Sequence, residues 1–434
     1  MTFEPTFEQA REPTSGRPGS DGLELDLAGV DLEAIAREHD TPFFLYDLAV
    51  IERRVAALRA ILPPSFRLAY AVKANPAPAV LERLAGLGLG ADVASGGELE
   101  RAIAAGFEPA RIVLTGPGKR DAELLAAVSA GVGLITVESP GELGRLEAIA
   151  RSAGRPVDIL LRWSVPQRMA GAGSGSGSVE PIPIIDDGGA GKFGMDEDDL
   201  RSCARRARDS AWIGLRGLHA FGASNVLDPN ALVGHLERTV ALACQLAAEF
   251  DLRPDIVDGG GGLGIPYADD EPPLDLETLG SGLGRLAGTW GRHPATTGTT
   301  VLLEPGRYLV GPAGIYVTRV LDRKRVRGAP IAIVDGGINH LLRPALVGQP
   351  QRIRRVAVPP RSALHPGSPS LPDVERVTIA GPLCTGLDIL ARELPIGLPE
   401  VGELLAVLDA GAYGFTESMP LFLSRPAAAE VIVG

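Results

Sequence analysis

Tyr70-Ala71-Val72-Lys73-Ala74-Asn75 carries one lysine at the end of an apolar, β-favouring run that should lie inside the protein. Burying an unpaired ammonium is costly, so such a lysine either reaches solvent from a strand end or has chemistry to do. Desolvation depresses a lysine's pKa and leaves it an amine nucleophile able to form a Schiff base. The hexapeptide alone leaves both readings open, and its surroundings decide between them.

Working outward, Asp47 suits the N-cap of a helix whose Leu48, Ile51, Val55, Leu58 and Leu62 share one face. Short apolar runs then read as strands at 67–72, 90–94, 111–115, 133–137, 157–163, 214–221, 255–258 and 300–303. Amphipathic segments at 79–87, 98–105, 121–130 and 141–153 separate the early ones. Such βα alternation, repeated about eight times, is the pattern of a (β/α)8 barrel. Beyond Glu304 the texture turns β-branched and rich in Pro and Gly at 316–321, 331–334, 374–380 and 427–433, which predicts a second, mostly antiparallel β domain. The early strand at 42–46 is expected to join it. The division is thus a polar, poorly ordered tail over 1–22, a segment at 23–46 joining the β domain, a barrel over 47–299 and the β domain over 300–434, with the eighth strand at the boundary.

Composition narrows the function. The chain has 434 residues, 45% apolar and 22% charged, enough for two soluble domains. Its net charge of −12 argues against nucleic acid as a partner. Three widely spaced cysteines make no disulfide framework and fit a reducing cytoplasm. No apolar run approaches membrane-spanning length, and the N-terminus lacks the basic-then-apolar order of a signal peptide.

Barrel enzymes carry their chemistry at the carboxyl ends of the strands. Lys73 ends the first strand; Asp92, Ser95 and Glu98 follow the second; Gly116-Pro117-Gly118-Lys119 follows the third; His219, Phe221 and Ser224 end the sixth. Asp258 and then Gly259-Gly260-Gly261-Gly262 end the seventh, and Glu304-Pro305-Gly306-Arg307 ends the eighth. A glycine run lets backbone N–H groups converge on an anion, and a barrel's phosphate site commonly lies after strands seven and eight. Lysine, glycine loop and Glu304 together suggest pyridoxal 5′-phosphate linked to Lys73. Glu304 would pair with the ring nitrogen, making the ring an electron sink, or form an ion pair with Arg307.

On these motifs the chain resembles the fold-type III pyridoxal-phosphate decarboxylases, the group of diaminopimelate and ornithine decarboxylases. The resemblance runs from Thr41-Pro42-Phe43-Phe44-Leu45-Tyr46-Asp47 to Arg425-Pro426-Ala427-Ala428-Ala429-Glu430-Val431. It also includes Asp-Val-Ala-Ser-Gly-Gly-Glu at 92–98, Lys192-Phe193-Gly194, Gly-Pro-Leu-Cys-Thr-Gly-Leu-Asp at 381–388 and Gly411-Ala412-Tyr413. It implies a barrel-plus-β architecture of the alanine racemase type and a homodimer whose sites join one subunit's barrel to the other's β domain. By resemblance Lys73, His219, Glu304 and Cys384 are the catalytic groups, Cys384 donating a proton to the decarboxylated α-carbon. Lys73, Asp92, Phe221, Ser224, Gly261, Gly262, Glu304, Arg307 and Tyr413 surround the cofactor. Arg307, Arg343, Thr385 and Asp388 face the substrate, with Cys384 and Asp388 acting across the interface. No metal is implied.

The departures bear on substrate. Diaminopimelate decarboxylases place a glutamate directly after the active-site cysteine and ornithine decarboxylases an aspartate; here it is Thr385, and a hydroxyl cannot supply that charge. Phe221 replaces the usual imidazole over the ring, Val347 the tyrosine of Arg-Pro-Ala-Leu-Tyr, and Ser418-Met419-Pro420-Leu421-Phe422 the usual Ser-Asn-Tyr-Asn element. Gly-Pro-Gly-Lys at 116–119, Phe221 and Pro-Leu-Cys-Thr at 382–385 are similar to the exosortase-associated and natural-product subgroup, some of whose members decarboxylate an amino acid tethered to an acyl carrier protein. The expected reaction is decarboxylation of an L-amino acid or a glutamate-like derivative. Diaminopimelate decarboxylase, a racemase or epimerase, and a non-catalytic cofactor carrier are the alternatives; Cys384 favours decarboxylation over racemisation, and the full β domain with Cys384 and Tyr413 speaks against a carrier. The flexible Gly/Ser segment at 170–178 is either a lid or a loop without a role, and the cluster Arg352, Arg354, Arg355 and Arg361 either docks an acidic carrier or is a solvated face.

Overall fold

The computed structural model describes residues 23–165, 191–293, 296–356 and 375–434. The tail over 1–22, the Gly/Ser segment at 170–178 and Arg361 lie outside them.

Eight parallel strands close into a barrel: β2 (Phe66–Ala71), β3 (Gly90–Val93), β4 (Ile112–Leu114), β5 (Leu134–Val137), β6 (Val157–Trp163), β7 (Ile213–Ala220), β8 (Ile256–Asp258) and β9 (Thr300–Leu303). The earlier strand β1 (Phe43–Asp47) is not part of it. The β9 pairing of Val301 with Phe66 and Leu303 with Leu68 closes the ring. The strands are short and buried on both faces, which is why they read as continuous apolar runs. Helices start on side-chain caps beside the strand exits: Ser95 accepts from the Glu98 N–H at 3.2 Å, and Ser139 from the Glu142 N–H at 3.1 Å.

The second sheet has the order β12-β15-β10-β11-β13-β14, formed by β10 (Gly314–Val326), β11 (Ala329–Val334), β12 (Ile353–Arg355), β13 (Val377–Ala380), β14 (Ile389–Leu394) and β15 (Leu404–Val407). β1 pairs antiparallel with β10 and parallel with the C-terminal β16 (Ala429–Val433). Phe43 and Leu45 pack on one face with Ile315, Val317, Leu404 and Val431. On the other, the Phe44 ring lies 4.9 Å from that of Tyr316, tilted by 41°.

The chain divides into two compact units, one of Arg54–Pro266 with Pro272–Leu309, the other of 23–53, Tyr267–Glu271 and Val310–Gly434. The expected boundary at 299/300 therefore moves: Thr300–Leu303 belongs to the barrel because it is the strand that closes it. No helix among the described residues is long and apolar enough to cross a membrane.

Candidate active site

β2 ends at Ala71, and Lys73 sits in the one-turn 3-10 helix Val72–Ala74 that follows. Ala71 pairs with Asp92 in the β2–β3 ladder, which brings the two side chains together: Lys73 Nζ donates to Asp92 Oδ2 at 2.7 Å. The lysine is neither unpaired nor fully buried, as its position in the sequence suggested. Its side chain is 36% exposed while its partner is 1% exposed, since the buried carboxylate holds the ammonium at the rim. Burial, and then the charge of Glu304, raise the Asp92 carboxyl above its ordinary value, with the Lys73 ammonium opposing them.

Behind this pair lies a second polar cluster. His219 is inside β7, Asp258 is the last residue of β8, and Glu304 follows β9. His219 Nε2 lies 3.5 Å from Glu304 Oε2, and donor atoms of His219, Asp258 and Glu304 all fall within 4.8 Å of one another. Burial alone would raise the Glu304 carboxyl. The neighbouring His219, then Lys73 and a hydrogen bond with Asp258, outweigh it and hold Glu304 at about 2. Asp258 goes the other way, pushed well above the carboxylate range by burial and then by the charge of Glu304.

The glycine loop after β8 leaves no room for side chains. A Cβ on Gly261 would lie 2.5 Å from the Glu304 carbonyl oxygen, and one on Gly262, at φ +93°, 2.6 Å from that of Ala223. The loop is pinned on two sides: Glu304 N–H donates to Gly260 O at 2.8 Å and Val226 N–H to Gly262 O at 2.8 Å. Half-buried Phe221 follows β7 immediately, its ring against Gly260, and Ser224 lies beyond it rather than at the strand end. Arg307, 6% exposed, opens the short helix Arg307–Val310.

Sequence reasoning missed His235. From the helix Pro229–Phe250 its Nε2 reaches Ala220 O at 3.3 Å and Gly259 O at 3.1 Å, tying the β7 exit to the glycine loop. It also missed a buried ionic network. Lys119 pairs with Glu142 at 2.8 Å and Arg162 with Glu138 at 2.7 Å, all four side chains at most 7% exposed. Glu138 further accepts from the N–H groups of Gly116 and Gly194, so the exits of β4, β5 and β6 and the Lys192-Phe193-Gly194 motif are held together. A charged pair with both members buried leaves no local signature, because its partners lie a strand apart.

The remaining expected residues belong to the β unit. Cys384 is exposed, in the loop between β13 and β14. Thr385 Oγ1 accepts from Leu387 N–H at 3.3 Å. Asp388, expected to face the substrate, is 2% exposed and accepts from the N–H groups of Ile338 at 2.8 Å and Leu383 at 2.7 Å. Its carboxylate anchors the loop that carries Cys384. Arg343, expected to face the substrate, is 3% exposed and pairs with Glu417 at 2.8 Å, its guanidinium 4.9 Å above the Tyr413 ring. Val347 is 1% exposed in the core. The described members of the arginine cluster are paired, Arg352 with Asp409, Arg354 with Asp269 and Arg355 with Glu403, which favours the solvated-face reading over a docking patch.

The family model for the pyridoxal-binding domain of pyridoxal-dependent decarboxylases matches residues 48–311. This chain belongs to that family. Among its relatives is the L-glutamyl-[BtrI acyl-carrier protein] decarboxylase of Niallia circulans, 31% identical over 416 residues, covering 94% of this chain and 92% of the relative. The diaminopimelate decarboxylase of Pseudomonas aeruginosa is 35% identical over 413 residues, with 94% and 92% covered. The crystal structure of Helicobacter pylori diaminopimelate decarboxylase complexed with L-lysine superposes with a TM-score of 0.79 at 28% identity, covering 93% of this chain and 94% of that one. The chain is therefore a pyridoxal-phosphate-dependent decarboxylase of an amino acid or amino-acid derivative, with the barrel-plus-β architecture expected. Its residues fit the cofactor. Glu304 Oε1 is a buried oxygen with no hydrogen-bond donor among the described residues, next to a loop too close to its neighbours for any side chain and within one cluster with the Lys73 amine.

Proposed function

We propose that this decarboxylase acts on a glutamate-like amino acid carried as an acyl-carrier-protein thioester. The observation that carries the reading is Thr385. The residue beside the exposed Cys384 is neutral, and its hydroxyl is already engaged by the Leu387 N–H. A dibasic substrate would bring a distal ammonium to a place with no carboxylate, and leaving a charge unpaired in a closed site costs about several kcal/mol. The carrier-bound substrate named for the Niallia circulans relative supports the same choice.

In this reading Lys73 would hold the cofactor through its amine, and Asp92 orients Lys73 from behind. Gly261, Gly262 and Ser224, with Tyr413, would hold the phosphate, Phe221 would lie against the ring, and Glu304, flanked by His219, would serve the ring nitrogen. Pyridoxal phosphate, when bound, supplies the electron sink that stabilises the charge left by loss of carbon dioxide. Cys384 returns a proton to the α-carbon, with Arg307 toward the substrate. Two copies of the chain form the enzyme, each completing its partner's site with the loop at 381–388.

The test is a panel of free amino acids and carrier-loaded aminoacyl thioesters, read by mass spectrometry for loss of carbon dioxide, with borohydride trapping and peptide mapping at Lys73 as the check on cofactor attachment. Glutamyl-type thioesters should be turned over fastest. Faster turnover of free meso-diaminopimelate than of every acidic or tethered substrate would overturn the assignment.

A further inference from the structure

Asp258 enters none of these roles, yet it is fully buried at the centre of the site. Its Oδ1 accepts the Gly260 N–H at 2.8 Å, the first turn of the glycine loop. Its Oδ2 is buried without a donor among the described residues, and so is Glu304 Oε1. The ladder sets Asp258 opposite His219 on one side and Leu302 on the other, two residues before Glu304. The titratable side chains of the cluster are Lys73, Asp92, His219, Asp258 and Glu304, with Glu98 beside Asp92 and Lys73 and His235 beside His219. Lys73 is engaged by Asp92. Two adjacent carboxylates buried in this way do not both ionise; one of them keeps a proton.

We propose that Asp258 is a positioning residue that keeps its proton and donates it to Glu304, fixing that carboxylate in the orientation the ring nitrogen requires. The proton resides on Asp258 because Glu304 has the greater share of favourable partners, the His219 Nε2 at 3.5 Å and the field of the Lys73 ammonium, while Asp258 has one backbone amide. The directions in which the two carboxyls are pushed agree with this allocation. Asp258 thus links the two ends of the cofactor site, Gly260 through Oδ1 and Glu304 through Oδ2. It supplies a donor and an acceptor but no charge, which is what an asparagine at this position would also supply.

The inference rests on the cofactor site proposed above, so its first test needs no cofactor. Infrared difference spectra of the cofactor-free protein at neutral pH, wild type minus Asp258→Asn, should contain the carbonyl stretch of a protonated carboxylic acid that shifts in deuterium oxide. Its absence would overturn the proposal whether or not the protein binds pyridoxal phosphate. The second test is cofactor affinity by fluorescence titration. Asp258→Asn should stay within about threefold of wild type, whereas Asp258→Leu, which removes donor and acceptor beside a charged group, should weaken binding roughly tenfold to a hundredfold. If the leucine variant does not fold, the asparagine variant decides alone: a loss of more than about tenfold would show that charge, not the hydrogen bond, is what Asp258 provides.

Discussion

Acidification should destabilise the barrel through one imidazole. His235 is 8% exposed, and its Nε2 faces two carbonyl oxygens at 3.1 and 3.3 Å, which requires Nε2 to carry the hydrogen. Nδ1 is buried without a partner among the described residues, so a second proton would have nothing to bond. Burial, against the smaller opposing effect of the two carbonyls, lowers the ring from 6.5 to about 4. The unfolded chain takes up the proton as pH falls through about 6.5 and the folded barrel only near 4, so this contribution is complete above 6.5 and disappears as pH drops to 4. A difference of that size is worth ~3 kcal/mol. All three tryptophans, Trp163, Trp212 and Trp290, lie in the barrel unit, so urea unfolding followed by their fluorescence reports on this unit. Between pH 7.5 and 4, cofactor-free wild type should lose ~3 kcal/mol more than His235→Gln, whose amide still donates to the carbonyls but does not titrate. Carboxylates that also destabilise in acid, such as Glu304, are common to both proteins and cancel. Parallel pH profiles for the two would refute the reasoning.

Gly262→Ala places a methyl group 2.6 Å from the Ala223 carbonyl oxygen at φ +93°, a strain of about 1–3 kcal/mol, and should weaken pyridoxal-phosphate binding in a fluorescence titration while circular dichroism stays unchanged. Lys119→Met strands the buried Glu142 carboxylate and should cost about 3–5 kcal/mol in chemical denaturation, most of it recovered in Lys119→Met/Glu142→Leu. Mixing inactive Lys73→Ala with inactive Cys384→Ala chains should restore part of the decarboxylase activity once subunits exchange. No recovery, with exchange demonstrated, would mean that each chain completes its own site.

What could be read from the chain alone was whatever is encoded locally. Alternating apolar runs and amphipathic segments disclosed eight barrel strands to within a residue or two, because each strand is buried on both faces and each helix has its own period. Lys73, the glycine run and Glu304 stood out because each follows a strand directly, and loops at strand exits are where a barrel keeps its chemistry. The β unit was less legible. The short strands Ile353–Arg355, Ile389–Leu394 and Leu404–Val407 carry little period, and β1 finds its parallel partner β16 at the far end of the chain. Only the tertiary structure decided which charges are free. Arg343 is neutralised by Glu417, Asp388 holds backbone amides, and the arginines near 352–355 have acids beside them. The same holds for Asp258 with Glu304 and for Lys119 with Glu142. The reason is physical: a side chain's type fixes what it can donate or accept, but its charge state and availability depend on desolvation and on partners brought within ~4 Å by closure of the barrel and sheet.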